Sequence, residues 1–280
     1  MRKINTIEIS RAVSELAQKT NYGLTDDVCS RIERCKRDET DARAKDILTQ
    51  IEKNIDIAGE ERIPLCQDTG LACVFLEIGQ EVYLEGEDLY DAVNEGVRRG
   101  YKDGFLRKSV VEDPLRRKNT GDNTPANIHV DIVPGDRVKI LFAPKGFGSE
   151  NMSRIKMFAP SAGEEGFKDF VVETVKIAGG NPCPPMVVGV GIGGTFDKVA
   201  FMAKKALTLD MDQSNPDPFY ARIEDELLER INQLDIGPQG FGGRTTALAV
   251  KIIQAPTHIA GMPVAVNINC HVSRHGEIII

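Results

Sequence analysis

The chain has 280 residues, of which 41 % are hydrophobic and 28 % charged, an ordinary globular composition that excludes a fibrous or disordered protein. Its net charge of −7 and pI near 5.3 disfavour nucleic acid and anionic membrane surfaces as partners, but leave room for a small anionic substrate at a locally positive site. No apolar run approaches the ~18 residues of a membrane span, and none follows the briefly basic N-terminus as a signal peptide would, so a cytoplasmic protein is expected.

The length is near the limit of a single core. The expectation is one α+β domain over 1–280, with a helical N-terminal region over about 1–60 and a mixed α/β core over about 61–280. Thr25-Asp26-Asp27 reads as a helix start, with Val28, Ile32 and Cys35 on one face. A further amphipathic stretch over 40–54 puts Ala44, Ile47, Leu48 and Ile51 at helical spacing. From Ile63-Pro64 onward glycine and proline become frequent and strands are predicted. The run 71–78 is apolar, and 128–133 and 138–143 flank Pro134-Gly135-Asp136 as a hairpin. Further strands are predicted at 187–192, 246–253 and 264–268, and helices at 86–102, 163–178, 196–208 and 218–234. The terminal Ile278-Ile279-Ile280 is expected to join a sheet edge or cover a partner.

Glycine concentrates at Gly146-Phe147-Gly148-Ser149, at Gly189-Val190-Gly191-Ile192-Gly193-Gly194 and at Gly237 to Gly243. Three such loops favour close backbone approach to a shared ligand. The second also fits a phosphate loop between strand and helix, although it lacks the GK[ST] ending and the dinucleotide spacing.

Six cysteines, widely spaced in a long chain, argue against a disulfide framework. Cys35 and Cys73 lie on apolar stripes and read as core; Cys29 is uninformative. Cys66, Cys183 and Cys270 each lie beside proline, glycine or a polar residue that ends a regular element. Their spacing excludes compact zinc-finger pairs and the ferredoxin run, and leaves open whether they meet. Three thiolates on a four-iron cluster would leave one iron open as a Lewis acid.

Five blocks occur in order: Cys66-Gln67-Asp68-Thr69-Gly70, the segment Lys118 to Ala126, Cys183-Pro184-Pro185 with its glycine-rich continuation, Gly237 to Gly243, and Asn269-Cys270-His271. With them the chain closely resembles, over essentially its whole length, the α subunit or N-terminal half of class I fumarate hydratases and L-tartrate dehydratases. The resemblance implies a [4Fe–4S] cluster on Cys66, Cys183 and Cys270. It implies reversible hydration of fumarate to L-malate, or alternatively dehydration of L-tartrate, with the substrate a small dicarboxylic acid. Gln67 is implied as donor to a substrate carboxylate and Asp68 as manager of the hydroxyl proton, beside the simpler reading of Asp68 as an Asx turn. Arg107 is implied as a carboxylate grip, His258 as a proton relay with Asp68, and Gly148 as a backbone approach to substrate. His271, Arg274 and His275 are left outside the catalytic set, as site residues or subunit contacts. The family's second half, with the carbon-acid base, is expected on a separate β subunit, and the α part is expected to homodimerise. The non-enzymatic alternative is an iron–sulfur carrier or redox-sensing scaffold.

Overall fold

A computed structural model describes residues 1–280. In chain order the elements are β1 (Arg2–Asn5), α1 (Thr6–Tyr22), α2 (Asp26–Asp38), α3 (Ala42–Glu61), β2 (Leu71–Gly79), β3 (Val82–Glu85), α4 (Leu89–Asp103), β4 (Asn127–Val133), β5 (Val138–Lys145), α5 (Phe147–Glu150), β6 (Arg154–Phe158), α6 (Gly163–Ala178), β7 (Met186–Gly194), α7 (Phe196–Ala206), α8 (Pro218–Asn232), β8 (Ala247–Thr257), β9 (Met262–Asn269) and β10 (Gly276–Ile279). This is the α+β mixture expected, and no helix is long and apolar enough to cross a membrane. The chain divides into two compact units, one of Met1–Thr25, Asn54–Phe147 and Arg274–Ile280, the other of Asp26–Lys53 and Gly148–Ser273. The helical N-terminal region is thus shared, with the boundary inside α3.

In the first unit the sheet order is β10-β5-β2-β4. The capped start of α1 follows from Asn5, whose Oδ1 accepts the Ile7 N–H while Glu8 accepts the Asn5 N–H, a capping box. α1 and α4 bury Val13, Leu16, Val93 and Val97 against Val74, Leu76 and Phe142 of the sheet, each worth on the order of 1.5–3 kcal/mol.

The hairpin expected across Pro134-Gly135-Asp136 does not form. β2 lies between β4 and β5, parallel to the first and antiparallel to the second. The reason is in β2 itself, a near-continuous apolar run buried over most of its length; such a strand is stable at the centre of a sheet, with a neighbour on each side. The 134–136 turn passes over its end, where Gly79 N donates to Arg137 O at 2.8 Å and Gln80 N to Val133 O at 2.8 Å. The isoleucine tail does join a sheet edge, as β10 on β5, with Ile278 and Ile280 against the core.

In the second unit the order is β6-β9-β7-β8. α6 and α8 pack Phe167, Val171, Ile223 and Leu227 onto Val188, Val190 and Val266. α7 packs Val199, Met202 and Ala203 beside Ala265. The stretch 189–194 is the strand β7, not a ligand loop. A Cβ at Gly189 would stand 2.3 Å from Ala203 O, and one at Gly191 2.3 Å from Val199 O. These glycines let α7 lie directly on the sheet, which removes the phosphate-loop reading. At the outer edge of β8, side chains stand in for a further strand: Ile252 N donates to Glu224 Oε1 at 2.7 Å, and Ile252 O accepts from Asn215 Nδ2 at 2.8 Å.

Candidate active site

The first unit holds the loop that carries Cys66, Gln67 and Asp68. It is suspended between α3 and β2 and fastened residue by residue. Leu65 N donates to Asn21 O at 2.9 Å and Leu65 O accepts from Asn54 Nδ2 at 2.9 Å. Asp68 N donates to Cys66 Sγ at 3.4 Å. Asp68 Oδ1 accepts from Gly70 N at 3.1 Å, the Asx turn, while Oδ2 accepts from Phe147 N at 2.9 Å. The carboxylate is therefore aimed at the glycine-rich 146–149 turn, and both readings of Asp68 are geometrically compatible. Gly70 has φ of +81°, and a Cβ there would lie 2.8 Å from Lys145 N, so only glycine fits.

Arg107 is brought to this loop by its backbone. Arg107 N donates to Thr69 Oγ1 at 2.9 Å, and Thr69 Oγ1 donates to Arg107 O at 3.2 Å; the Arg107 residue is exposed. Behind the pair lie residues that the sequence did not single out. The Tyr101 hydroxyl reaches Thr69 O at 3.0 Å and Gly70 O at 2.9 Å, and burial pushes its pKa up. Asn123, with φ of 65°, accepts from Ser109 N at 2.7 Å and donates to Gly70 O at 3.2 Å. The block 118–126 is thus a clamp on the cysteine loop and the Arg107 segment. The Arg274 guanidinium donates through Nη2 to Asp68 O.

The second unit holds Cys183 and Cys270. Cys183 precedes β7 and Cys270 follows β9, and because Val187 pairs with Asn269 the two lie at the same end of the sheet. They are tied there: His271 N donates to Cys183 O at 3.3 Å, and His271 Nδ1 does so at 2.9 Å. Gln239 adds donors to Pro184 O from its backbone N at 2.8 Å and its Nε2 at 2.9 Å. The third glycine-rich loop therefore braces the Cys183 turn. Cys183 is exposed at φ of 54°, a left-handed backbone that costs on the order of 1–3 kcal/mol and clusters at functional sites. Gly148 is exposed, and a Cβ there would meet only Asn181 O at 3.9 Å, so packing does not require its bare backbone.

His258 lies elsewhere in this unit. It is exposed in the β8–β9 turn, and its Nδ1 accepts from Ala260 N at 3.2 Å. β8 runs parallel to β7, with Met186 opposite Ala247 and Gly194 opposite Thr257. His258 is thus at the opposite end of the sheet from Cys183 and Cys270, roughly 26 Å along the strands.

No disulfide joins any of the six cysteines, and nowhere are three His, Cys, Asp or Glu side chains grouped to hold a metal. The donor chemistry nonetheless suits an iron–sulfur group: none of the three loop thiols is in a disulfide or deeply buried, and two are braced at one strand end.

One short loop thus carries a thiol, a carboxamide and a fixed carboxylate, with the Arg107 backbone fastened to it. Residues 10–279 match the profile of the fumarate hydratase (Fumerase) family. A Methanocaldococcus jannaschii protein provisionally named L(+)-tartrate dehydratase subunit alpha is 43 % identical over 274 residues, 96 % of each chain. The L(+)-tartrate dehydratase subunit alpha of Escherichia coli O157:H7 is 32 % identical over 277 residues, covering 98 % of this chain and 91 % of its own; that of strain K12 is 31 % identical over the same shares. The chain belongs to the fumarate hydratase family, and it is a hydro-lyase.

Proposed function

We propose that the chain is the α subunit of an iron–sulfur hydro-lyase that reversibly hydrates fumarate to L-malate, and that a separate β subunit completes the site. The observation that carries this reading is the fastening of the Cys66–Gly70 loop to the Arg107 backbone through Thr69, which keeps a thiol, a carboxamide, a carboxylate and a guanidinium-bearing segment in one framework. When bound, a [4Fe–4S] cluster on Cys66, Cys183 and Cys270 supplies a Lewis acid with one iron free of protein thiolate.

The chain's own residues do the rest. Gln67, exposed, donates its amide to one substrate carboxylate. The fork of Arg107 binds a carboxylate in two parallel bonds. Asp68, its carboxylate oriented by the Phe147 and Gly70 N–H groups, takes and returns the proton of the hydroxyl. The backbone at Gly148 leaves room for the diacid. His258 accepts at Nδ1, so its neutral tautomer carries the proton on Nε2. Given its position across the sheet, His258 serves this site from a second copy of the chain, in an α-part homodimer. The partner β subunit, which the relatives' "subunit alpha" names support, carries the base for the carbon-bound proton.

A second reading, dehydration of L-tartrate, is favoured by the names of the relatives. Both substrates are four-carbon diacids differing by a hydroxyl. The test is anaerobic reconstitution with iron and sulfide, alone and with the β subunit, assayed on fumarate, L-malate and L(+)-tartrate. Turnover of one diacid by the complex alone is expected. Full turnover by the isolated chain would remove the β subunit from the reading, and inertness of the loaded complex toward all three would remove the diacid.

A further inference from the structure

The guanidinium of Arg274 is buried, with the residue 4 % exposed. Its Nη2 donates to Asp68 O. Its Nε and Nη1 are enclosed and have no acceptor. The contrast with Lys168 is plain: that buried cation meets Glu164, Glu165 and Glu226. Burying an unpaired charge costs more than one hydrogen bond to a carbonyl returns.

A neutral donor would suffice to hold a loop carbonyl. The next two carbonyls, Thr69 O and Gly70 O, are held by the Tyr101 hydroxyl and the Asn123 amide. Only the carbonyl of Asp68, between the Cys66 thiol and the Thr69 anchor, is held by a cation. An anion that could balance this charge is on the same loop, the Asp68 carboxylate. Arg274 and Asp68 both lie within electrostatic reach of the Tyr101 hydroxyl. Since Nε and Nη1 are closed to solvent, the guanidinium does not touch substrate; it acts through the loop.

We propose that Arg274 is a positioning residue of the hydration site, whose buried charge and bond to the Asp68 carbonyl hold Gln67 and Asp68 in working orientation; this rests on the functional reading above. The role needs both charge and fork. An ammonium replaces the first and only part of the second.

The test uses Arg274→Gln and Arg274→Lys in the full chain, with two readouts. Amide hydrogen exchange compares residues 66–70 with the β5 strand of the same unit as an internal reference of folding. Steady-state kinetics are then measured on the loaded complex with its β subunit. In Arg274→Gln, exchange at 67–70 is expected to rise about tenfold while β5 stays protected. Its kcat is expected to fall on the order of a hundredfold with KM within about threefold, and Arg274→Lys is expected to recover part of both. Unchanged exchange at 67–70, a kcat near wild type, or equal loss in both variants would overturn the proposal. So would loss of β5 protection in both, which would make Arg274 a core-stability residue. A wild-type complex inert toward every diacid would instead sink the functional reading, and the exchange data would still judge the hold of Arg274 on the loop.

Discussion

Asp122 accepts from Thr124 N at 3.0 Å, from Thr124 Oγ1 at 2.7 Å and from Arg98 Nε at 2.9 Å. Burial raises its pKa, but the Thr124 bonds and the Arg98 guanidinium outweigh it and bring the carboxyl down to about 2. A depressed carboxylate stabilises the fold above its unfolded pKa of about 4, and that stability is lost as pH falls toward 2. Asp122→Asn is therefore expected to cost about 1–2 kcal/mol at pH 6, with the gap from wild type closing near pH 2, as read by urea unfolding at both values. Glu224→Ala, which strips acceptors from Ile252 N and Asn215 N, is expected to cost about 2–4 kcal/mol in the same assay, and Glu224→Gln less. At this scale the sequence was legible where a residue's chemistry is local: the cysteines in loop contexts and the Asx turn of Asp68. Asn123, Tyr101 and Gln239 were not, because each acts on a backbone far along the chain, and no local pattern marks a side chain for a distant carbonyl.

Among the elements, helix periodicity carried far: 163–178 was predicted where α6 (Gly163–Ala178) lies, and α4, α7 and α8 followed within a few residues, whereas α3 runs to Glu61, seven residues past the predicted 40–54. The short edge strands β1, β3 and β6 escaped because few residues and little burial leave little pattern. The missed insertion of β2 between β4 and β5 has a different cause. A turn signature fixes where the chain reverses, not which strand fills the gap. The glycines of β7 misled for a related reason, since sequence shows that a close approach is permitted but not by what. Here it is α7. Gly191→Ala would drive a methyl into Val199 O and is expected to cost about 2–3 kcal/mol, seen as a lower unfolding midpoint with an unchanged slope.

Across the whole molecule, the proposed ligands divide between the units, Cys66 in the first and Cys183 and Cys270 in the second. Iron should then depend on all three equally. Cys183→Ala is expected to reduce bound iron per chain by more than about tenfold after anaerobic reconstitution, while Cys73→Ala, at a buried strand position, lowers stability and leaves iron intact. Retention of iron in Cys183→Ala would detach the cluster from this set. The family blocks made the site legible as a list of residues. They could not show that His258 and the cysteine pair occupy opposite ends of one sheet, since that follows from strand register.

The covered edge of β8 bears on how the chain behaves when concentrated. With Ile252 answered by Glu224 and Asn215, that edge is closed to another strand at its middle. The far edge, β6, carries Ile155 and Met157 at 39 % and 54 % exposure. Such an edge is where another strand could add, with Arg154 and Lys156 as its only charges. Ile155→Lys is therefore expected to lower association at high concentration, as read by light scattering, and no change would clear β6.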